Sequence, residues 1–228
     1  MKFKILNTVV AGLIVLVSEA ANAGIINWTE VQHTTDFNDV LDFGNTVEAI
    51  NATNTNSGSV TVNGVEFYNS TNLLSAGGFV GALNSASTSD ESYDNFLNSF
   101  DYGNGSDLTT LTIGGGNLID GVDYFIQLWL TDLRVASRDM SFGDGNGNSV
   151  ELDATEVDFG QYVIGQFTAT GDTQELSLDA LNSANAHITG YQIRLSDVSA
   201  TSVSEPSTLA IIALGLMGFA SRRFKKKS

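Results

Sequence analysis

Val122, Tyr124, Ile126, Leu128 and Leu130 occupy every second position of one unbroken run. Side chains alternate between the two faces of a strand, so a period of two reads as β-structure with one apolar face, not as a helix. The opposite face carries Asp123, Phe125, Gln127 and Trp129. Large apolar groups thus lie on both faces, and a strand of that kind is expected to be covered on both sides.

Shorter runs repeat the pattern. Val60–Phe67 is broken by Asn63-Gly64, a pair that tolerates the positive φ angles of a type I′ turn and so predicts a tight hairpin. Leu111 and Ile113 alternate with Thr110 and Thr112. Arg138–Phe142 and Val150–Leu152 flank the loop Gly143–Ser149, and Tyr162–Thr168, Leu176–Leu178 and Tyr191–Leu195 follow. Gly, Asn, Asp, Ser and Thr punctuate these runs, and the only proline is Pro206. Regular turn spacing of this kind predicts an all-β, jelly-roll-like β-sandwich. One helix is expected: Tyr93, Phe96, Leu97 and Phe100 follow helical spacing, with Thr88 and Glu91 as a capping box before them. The polar stretch Asn45–Ser59 reads as a loop.

Both ends of the chain are of a different kind. Lys2 and Lys4 precede an apolar run from Ile5 to Val17, and Ala21-Asn22-Ala23 follows as a small-x-small cleavage pattern. This order is that of a secretory signal peptide, residues 1–23, cut after Ala23. At the other end, Ser204-Glu205-Pro206-Ser207-Thr208 leads into an apolar stretch from Leu209 to Ala220 and then Ser221-Arg222-Arg223-Phe224-Lys225-Lys226-Lys227. Basic residues stay on the cytoplasmic side of a membrane, so residues 204–228 are expected to halt in the inner membrane as a transmembrane segment, with the domain outside.

Glu205-Pro206, the Gly-containing apolar run and Arg222-Arg223 resemble the PEP-CTERM sorting signal, with Ser204 where the first proline of that motif usually stands. The resemblance implies recognition by exosortase, a membrane-embedded transpeptidase-like enzyme, in a Gram-negative bacterium that makes exopolysaccharide. It implies an inner-membrane intermediate and a final place at the cell surface or in the extracellular matrix.

Residues 24–196 form the expected domain, and residues 197–203 a linker to the tail. Between Gly24 and Val203 the chain has no lysine and only Arg134, Arg138 and Arg194, set against 24 acidic residues, a net charge of −21. A domain so charged repels phosphates, which excludes nucleic-acid partners. The acidity fits either solubility outside the cell or divalent-cation binding. Cysteine is absent, which excludes disulfides, thiol redox chemistry and thiolate metal sites.

The domain has two histidines, His33 and His187. Neither accompanies a nucleophile elbow, and both are expected to be ordinary solvated or hydrogen-bonded side chains. Carboxylates are too abundant to single out a glycosidase pair. Gly114-Gly115-Gly116 lacks the Gly-Lys-Ser/Thr ending of a phosphate loop. No catalytic residue is assigned.

Two candidate sites remain. Asp144, Asn146 and Asn148 space three oxygen-bearing side chains by two, with glycines between them. This suits calcium, although the glycine and glutamate positions of an EF-hand are not met. A hairpin loop rich in turn formers fits the same residues. Trp129, Asp132, Arg134 and Arg138 could lie together at one sheet surface or rim. There an aromatic face would stack on sugar C–H groups while Asp and Arg bond to hydroxyls. The alternative buries Trp129 and Phe125 beneath another element and pairs Arg138 with an acid.

The run Tyr124–Asp132 with Arg134 and Arg138, together with Gly160–Thr168 and Gly190–Leu195, resembles strands of jelly-roll, galactose-binding-like and malectin-like domains. That resemblance implies a carbohydrate-associated module, often with a structural calcium. The expected function is an exosortase-sorted, non-enzymatic envelope or matrix protein associated with exopolysaccharide or another surface glycan. The alternative is a calcium-dependent carbohydrate-binding module, followed by a secreted glycan hydrolase.

Overall fold

Asn63 and Gly64 both adopt positive φ, 47° and 76°, and Val62 pairs with Val65 across them, so the expected hairpin forms as read. The computed structural model describes residues 24–104, 108–134, 138–154, 158–182 and 185–196. The segments expected to be a signal peptide, a linker and a sorting tail lie outside the described residues.

The elements are β1 (Asn27–Trp28), β2 (Gln32–His33), β3 (Thr46–Ala52), β4 (Ser59–Val62), β5 (Val65–Ser70), β6 (Gly77–Val80), α1 (Glu91–Leu97), β7 (Ser99–Tyr102), β8 (Thr109–Ile113), β9 (Asp123–Leu130), β10 (Asp139–Gly143), β11 (Ser149–Asp153), β12 (Gln161–Thr168), β13 (Gln174–Ala180), β14 (His187–Ile188) and β15 (Gly190–Leu195). The largest sheet runs β1-β12-β9-β15-β3-β5-β4, with β2 also on β12, and a second sheet runs β11-β10-β13-β8. Along the chain β3 lies in the first sheet, β8 in the second, β9 in the first, β10 and β11 in the second, β12 in the first, β13 in the second and β15 in the first. This alternation is the strand order of a jelly roll, and the domain is a β-sandwich with that connectivity.

The main core fills the space between the two sheets. Tyr124, Ile126, Leu128 and Leu130 of β9 join Met140 and Phe142 of β10, Leu176 and Leu178 of β13, and Leu111 and Ile113 of β8. The outer face of β9 is covered too. Trp129 belongs to a second core with Phe67, Tyr93, Phe96 and Leu97, under α1 and the β4–β5 hairpin. Beside it, Gln127 is held by the segment after a 3-10 turn at Phe37–Asp39. Its Nε2 donates to the Asp39 carbonyl at 2.6 Å and its Oε1 accepts from the Leu41 N–H at 3.0 Å.

Three readings of the sequence are corrected. The stretch read as a loop from Asn45 contains β3, an interior strand of the main sheet. Its polar residues are satisfied in place: Asn51 donates to Asn69 Oδ1 at 2.8 Å and accepts from the Ser99 hydroxyl at 3.1 Å. The helix N-cap is Asp90, not Thr88, with the Asp90 carboxylate accepting the Tyr93 N–H at 2.7 Å. The helix also stops at Leu97, and Phe100 belongs to β7. That strand joins β6 and β14 in a third, three-stranded sheet.

Candidate functional site

Beyond the end of β9 the chain is fixed by backbone and threonine hydroxyl hydrogen bonds. Thr131 N–H donates to Thr189 Oγ1 at 2.9 Å, and the Thr131 hydroxyl donates to the Phe159 carbonyl at 2.9 Å. The N–H of Asp132 reaches the Ala154 carbonyl at 3.2 Å, and that of Leu133 reaches the Ala82 carbonyl at 2.8 Å. The fully buried Asp132 carboxylate is thereby held still. Two arginines converge on it. Arg134 makes a two-point fork, Nε to Oδ1 at 2.7 Å and Nη2 to Oδ2 at 2.9 Å. Arg138 makes one contact, Nε to Oδ2 at 3.3 Å. Their side chains keep 29 % and 23 % exposure. Two guanidinium groups against one carboxylate leave a local charge of +1 in a domain that is otherwise strongly acidic.

Aromatic rings complete the site. The Arg134 guanidinium carbon lies 3.8 Å from the centre of the Phe79 ring and 5.1 Å from that of Phe100, a cation–π arrangement that fixes its plane. Phe79 and Phe100 stack at 5.2 Å. Phe79 reaches this position because β6 is pressed against the end of β3: a Cβ on Gly78 would stand 1.9 Å from the Thr53 carbonyl oxygen. Phe79, Phe100, Tyr102, Arg134, Arg138 and Asn185 line an open cleft of about 170 Å³.

His187 packs behind the cleft, fully buried, with its ring 5.1 Å from that of Phe100. Burial pushes its imidazole down to about 4, and the charges of Arg138 and Arg134 push the same way against the opposing pull of Asp132. It is therefore neutral at physiological pH, and its environment is neither solvated nor ordinary.

Of the four residues proposed from sequence for a sugar platform, Asp132, Arg134 and Arg138 come together and Trp129 does not join them. Trp129 is fully buried beneath α1. Its Nε1 donates to the Tyr93 hydroxyl at 3.2 Å, and its ring packs edge-on to Phe67 and Phe96. No face is left to stack on a ligand, and of the two arrangements weighed for this strand the covered one is present. Phe79, Phe100 and Tyr102 supply the aromatic surface in its place. Nothing in their local sequence marks them, because β6 and β7 reach Arg134 only through tertiary packing.

The Asp144 loop is arranged around an anion. The Asp144 carboxylate is fully buried and accepts three backbone N–H groups, from Ile26 at 3.1 Å, Asn146 at 2.7 Å and Asn148 at 3.2 Å. Asn146 and Asn148 are exposed. A calcium ion needs oxygen lone pairs directed at it, whereas here three of the roughly four lone-pair sites of the carboxylate already meet N–H donors. The remaining cation of the domain, Arg194, is also committed: it binds the carbonyls of Asp42, Phe43 and Gly44 and the hydroxyl of Thr46.

Residues 202–226 match the PEP-CTERM protein-sorting motif. The matched segment takes in Ser204, Glu205, Pro206, Arg222 and Arg223 and marks an exported protein, sorted by exosortase toward the cell surface. Among solved structures the ectodomain of ANX2 from Arabidopsis thaliana is similar, at 11 % identity and a TM-score of 0.37, over 67 % of this chain and 50 % of that one. The chain thus spans about half the length of that ectodomain. No curated protein matches the chain.

Proposed function

We propose that this chain, delivered by a sorting tail at residues 202–226, is a non-enzymatic protein of the envelope or extracellular matrix of a Gram-negative bacterium, associated with exopolysaccharide. The sorting motif is the observation that carries the reading. A protein carried to the surface and parted there from the membrane comes to rest among glycans, and a net charge of −21 between Gly24 and Val203 keeps it soluble in that setting.

The test is fractionation. The mature protein, recovered from producing cells, is incubated with their exopolysaccharide, with calcium and then with chelator, and sedimented. The protein is expected in the polysaccharide fraction under both conditions, with no release of reducing ends. Protein that stays wholly in the supernatant overturns the association, and released reducing ends replace it with a hydrolase.

A second reading, a carbohydrate-binding module with one defined site, is favoured by the Arg134–Arg138 cleft, where guanidinium donors and aromatic rings line a common surface. The arrangement of the Asp144 loop supports a module that works without calcium at that loop.

A further inference from the structure

The use of positive charge in this domain is uneven. Three arginines stand between Gly24 and Val203. Arg194 is 4 % exposed and closes the loop before β3. The other two are brought to one cleft, where a single buried carboxylate serves both. A guanidinium carries five N–H donors; of these Asp132 accepts the Nε and Nη2 of Arg134 and stands 3.3 Å from the Nε of Arg138. Pairing of this kind orients the arginines without neutralising them. Asp132 acts as a fixed post, the Phe79 ring lies 3.8 Å from the Arg134 guanidinium carbon, and both arginines border the cleft with Tyr102 and Asn185.

We propose that this cleft binds the carboxylate of an acidic sugar unit, clamped by Arg134 and Arg138, with the sugar ring lying against the Phe100–Tyr102 side. The proposal rests on the glycan association above and names the class of glycan. A planar fork matches a carboxylate in two-point geometry, which a neutral hydroxyl cannot reproduce. The volume of about 170 Å³ is below the roughly 300–1,000 Å³ of sites that enclose a drug-sized ligand, so it suits a single unit or a chain end. The surrounding acidity shapes the choice further. Repulsion from the rest of the domain is screened beyond roughly 8 Å at physiological salt, so an isolated acid group is accepted while a densely charged polymer is held off. A neutral His187 behind Phe100 neither adds to nor opposes the clamp.

The experiment titrates the mature protein with glucuronate, glucose and inorganic sulfate, and in parallel sediments it with native and carboxyl-reduced exopolysaccharide. Arg138→Gln is the principal variant, because it leaves the Arg134–Asp132 fork in place; Arg134→Lys is the second, and melting temperatures are recorded for both. Expected are saturable binding of glucuronate, affinity for glucose and for sulfate lower by about ten-fold or more, and a loss of about ten-fold in Arg138→Gln at an unchanged melting temperature. Equal affinity for glucose, sulfate competing as well as glucuronate, or unchanged binding in Arg138→Gln overturns the acidic-sugar site. If native polysaccharide sediments the protein in any of those cases, the matrix association still stands. Glucuronate binding without polysaccharide sedimentation keeps the site and overturns the association.

Discussion

The indole N–H of Trp129 donates to the hydroxyl of Tyr93 at 3.2 Å, tying the middle of the main sheet to the helix laid over it. The Tyr93 hydroxyl in turn donates to Asp39 Oδ2 at 3.4 Å, so strand, helix and 3-10 turn share one relay. Burial, with the nearby Asp39 charge, raises Tyr93 well above its ordinary range, so it stays protonated as donor and acceptor.

Removing that hydroxyl orphans a buried N–H. Tyr93→Phe is expected to lower unfolding free energy by about 1–3 kcal/mol, and Trp129→Ala by about 3–5 kcal/mol through the cavity it leaves. Urea unfolding followed by far-UV circular dichroism checks both. Glycan binding by Tyr93→Phe is expected to be unchanged under native conditions, because neither Tyr93 nor Trp129 lines the arginine cleft.

The strands of the sandwich could be read from sequence wherever apolar residues alternate, because burial on a pleated sheet imposes a period of two. This covers β9, β12 and the β4–β5 hairpin. β3 escaped because Asn51 and Thr46 take their partners from distant segments, Asn69, Ser99 and Arg194, and only the fold reveals that these polar groups are satisfied. The cleft was half legible. Asp132, Arg134 and Arg138 are close in sequence, and the two arginines are rare in charge type, whereas Phe79 and Phe100 arrive through the third sheet. The spacing of Phe100 fits the helix, since a residue one turn beyond Leu97 keeps the same apolar period whether or not the helix continues.

Stability depends on pH through His187. The folded value of about 4 lies below the ordinary 6.5, so between these values the unfolded chain takes up a proton that the folded chain refuses. Stability is full above pH 6.5 and declines as pH falls toward 4. Between pH 7 and pH 5 the loss is expected to be about 2 kcal/mol. Asp39, Asp101 and Asp139 act in the opposite sense, each raised above the ordinary carboxylate value first of all by burial. Denaturant midpoints across pH 5–7 should slope in the native protein and flatten in His187→Gln.

The Asp144 loop is predicted to be indifferent to calcium. Millimolar calcium should leave the melting temperature of the mature protein unchanged. Asp144→Ala should lower stability by about 2 kcal/mol or more, because the N–H groups of Ile26, Asn146 and Asn148 lose their acceptor. A calcium-dependent rise in melting temperature that disappears in Asp144→Ala would return the loop to the ion.

Gly78 holds the aromatic wall in position. With a Cβ 1.9 Å from the Thr53 carbonyl oxygen, Gly78→Ala must push β6 off the end of β3 and carry Phe79 away from Arg134. A measurable loss of stability is expected, together with weaker glucuronate binding. Arg134→Gln, by contrast, leaves the wall in place and withdraws the fork from Asp132. It should cost about 1–3 kcal/mol, read by the same urea titration.

β15 runs antiparallel to β9, starting at Gly190 opposite Trp129 and ending at Leu195 opposite Tyr124. The cleft follows the far end of β9, so the last strand ends at the other pole of the sandwich. Gly24 sits at that same pole, bonded to Gln174 and pressed on the Thr168 carbonyl. Gly24 and Leu195 therefore lie at one pole of the sandwich and the arginine pair at the other, separated by the length of a strand, roughly 25 Å. A domain with this polarity, if tethered through the chain that follows β15, would turn the Arg134–Arg138 cleft away from whatever holds it.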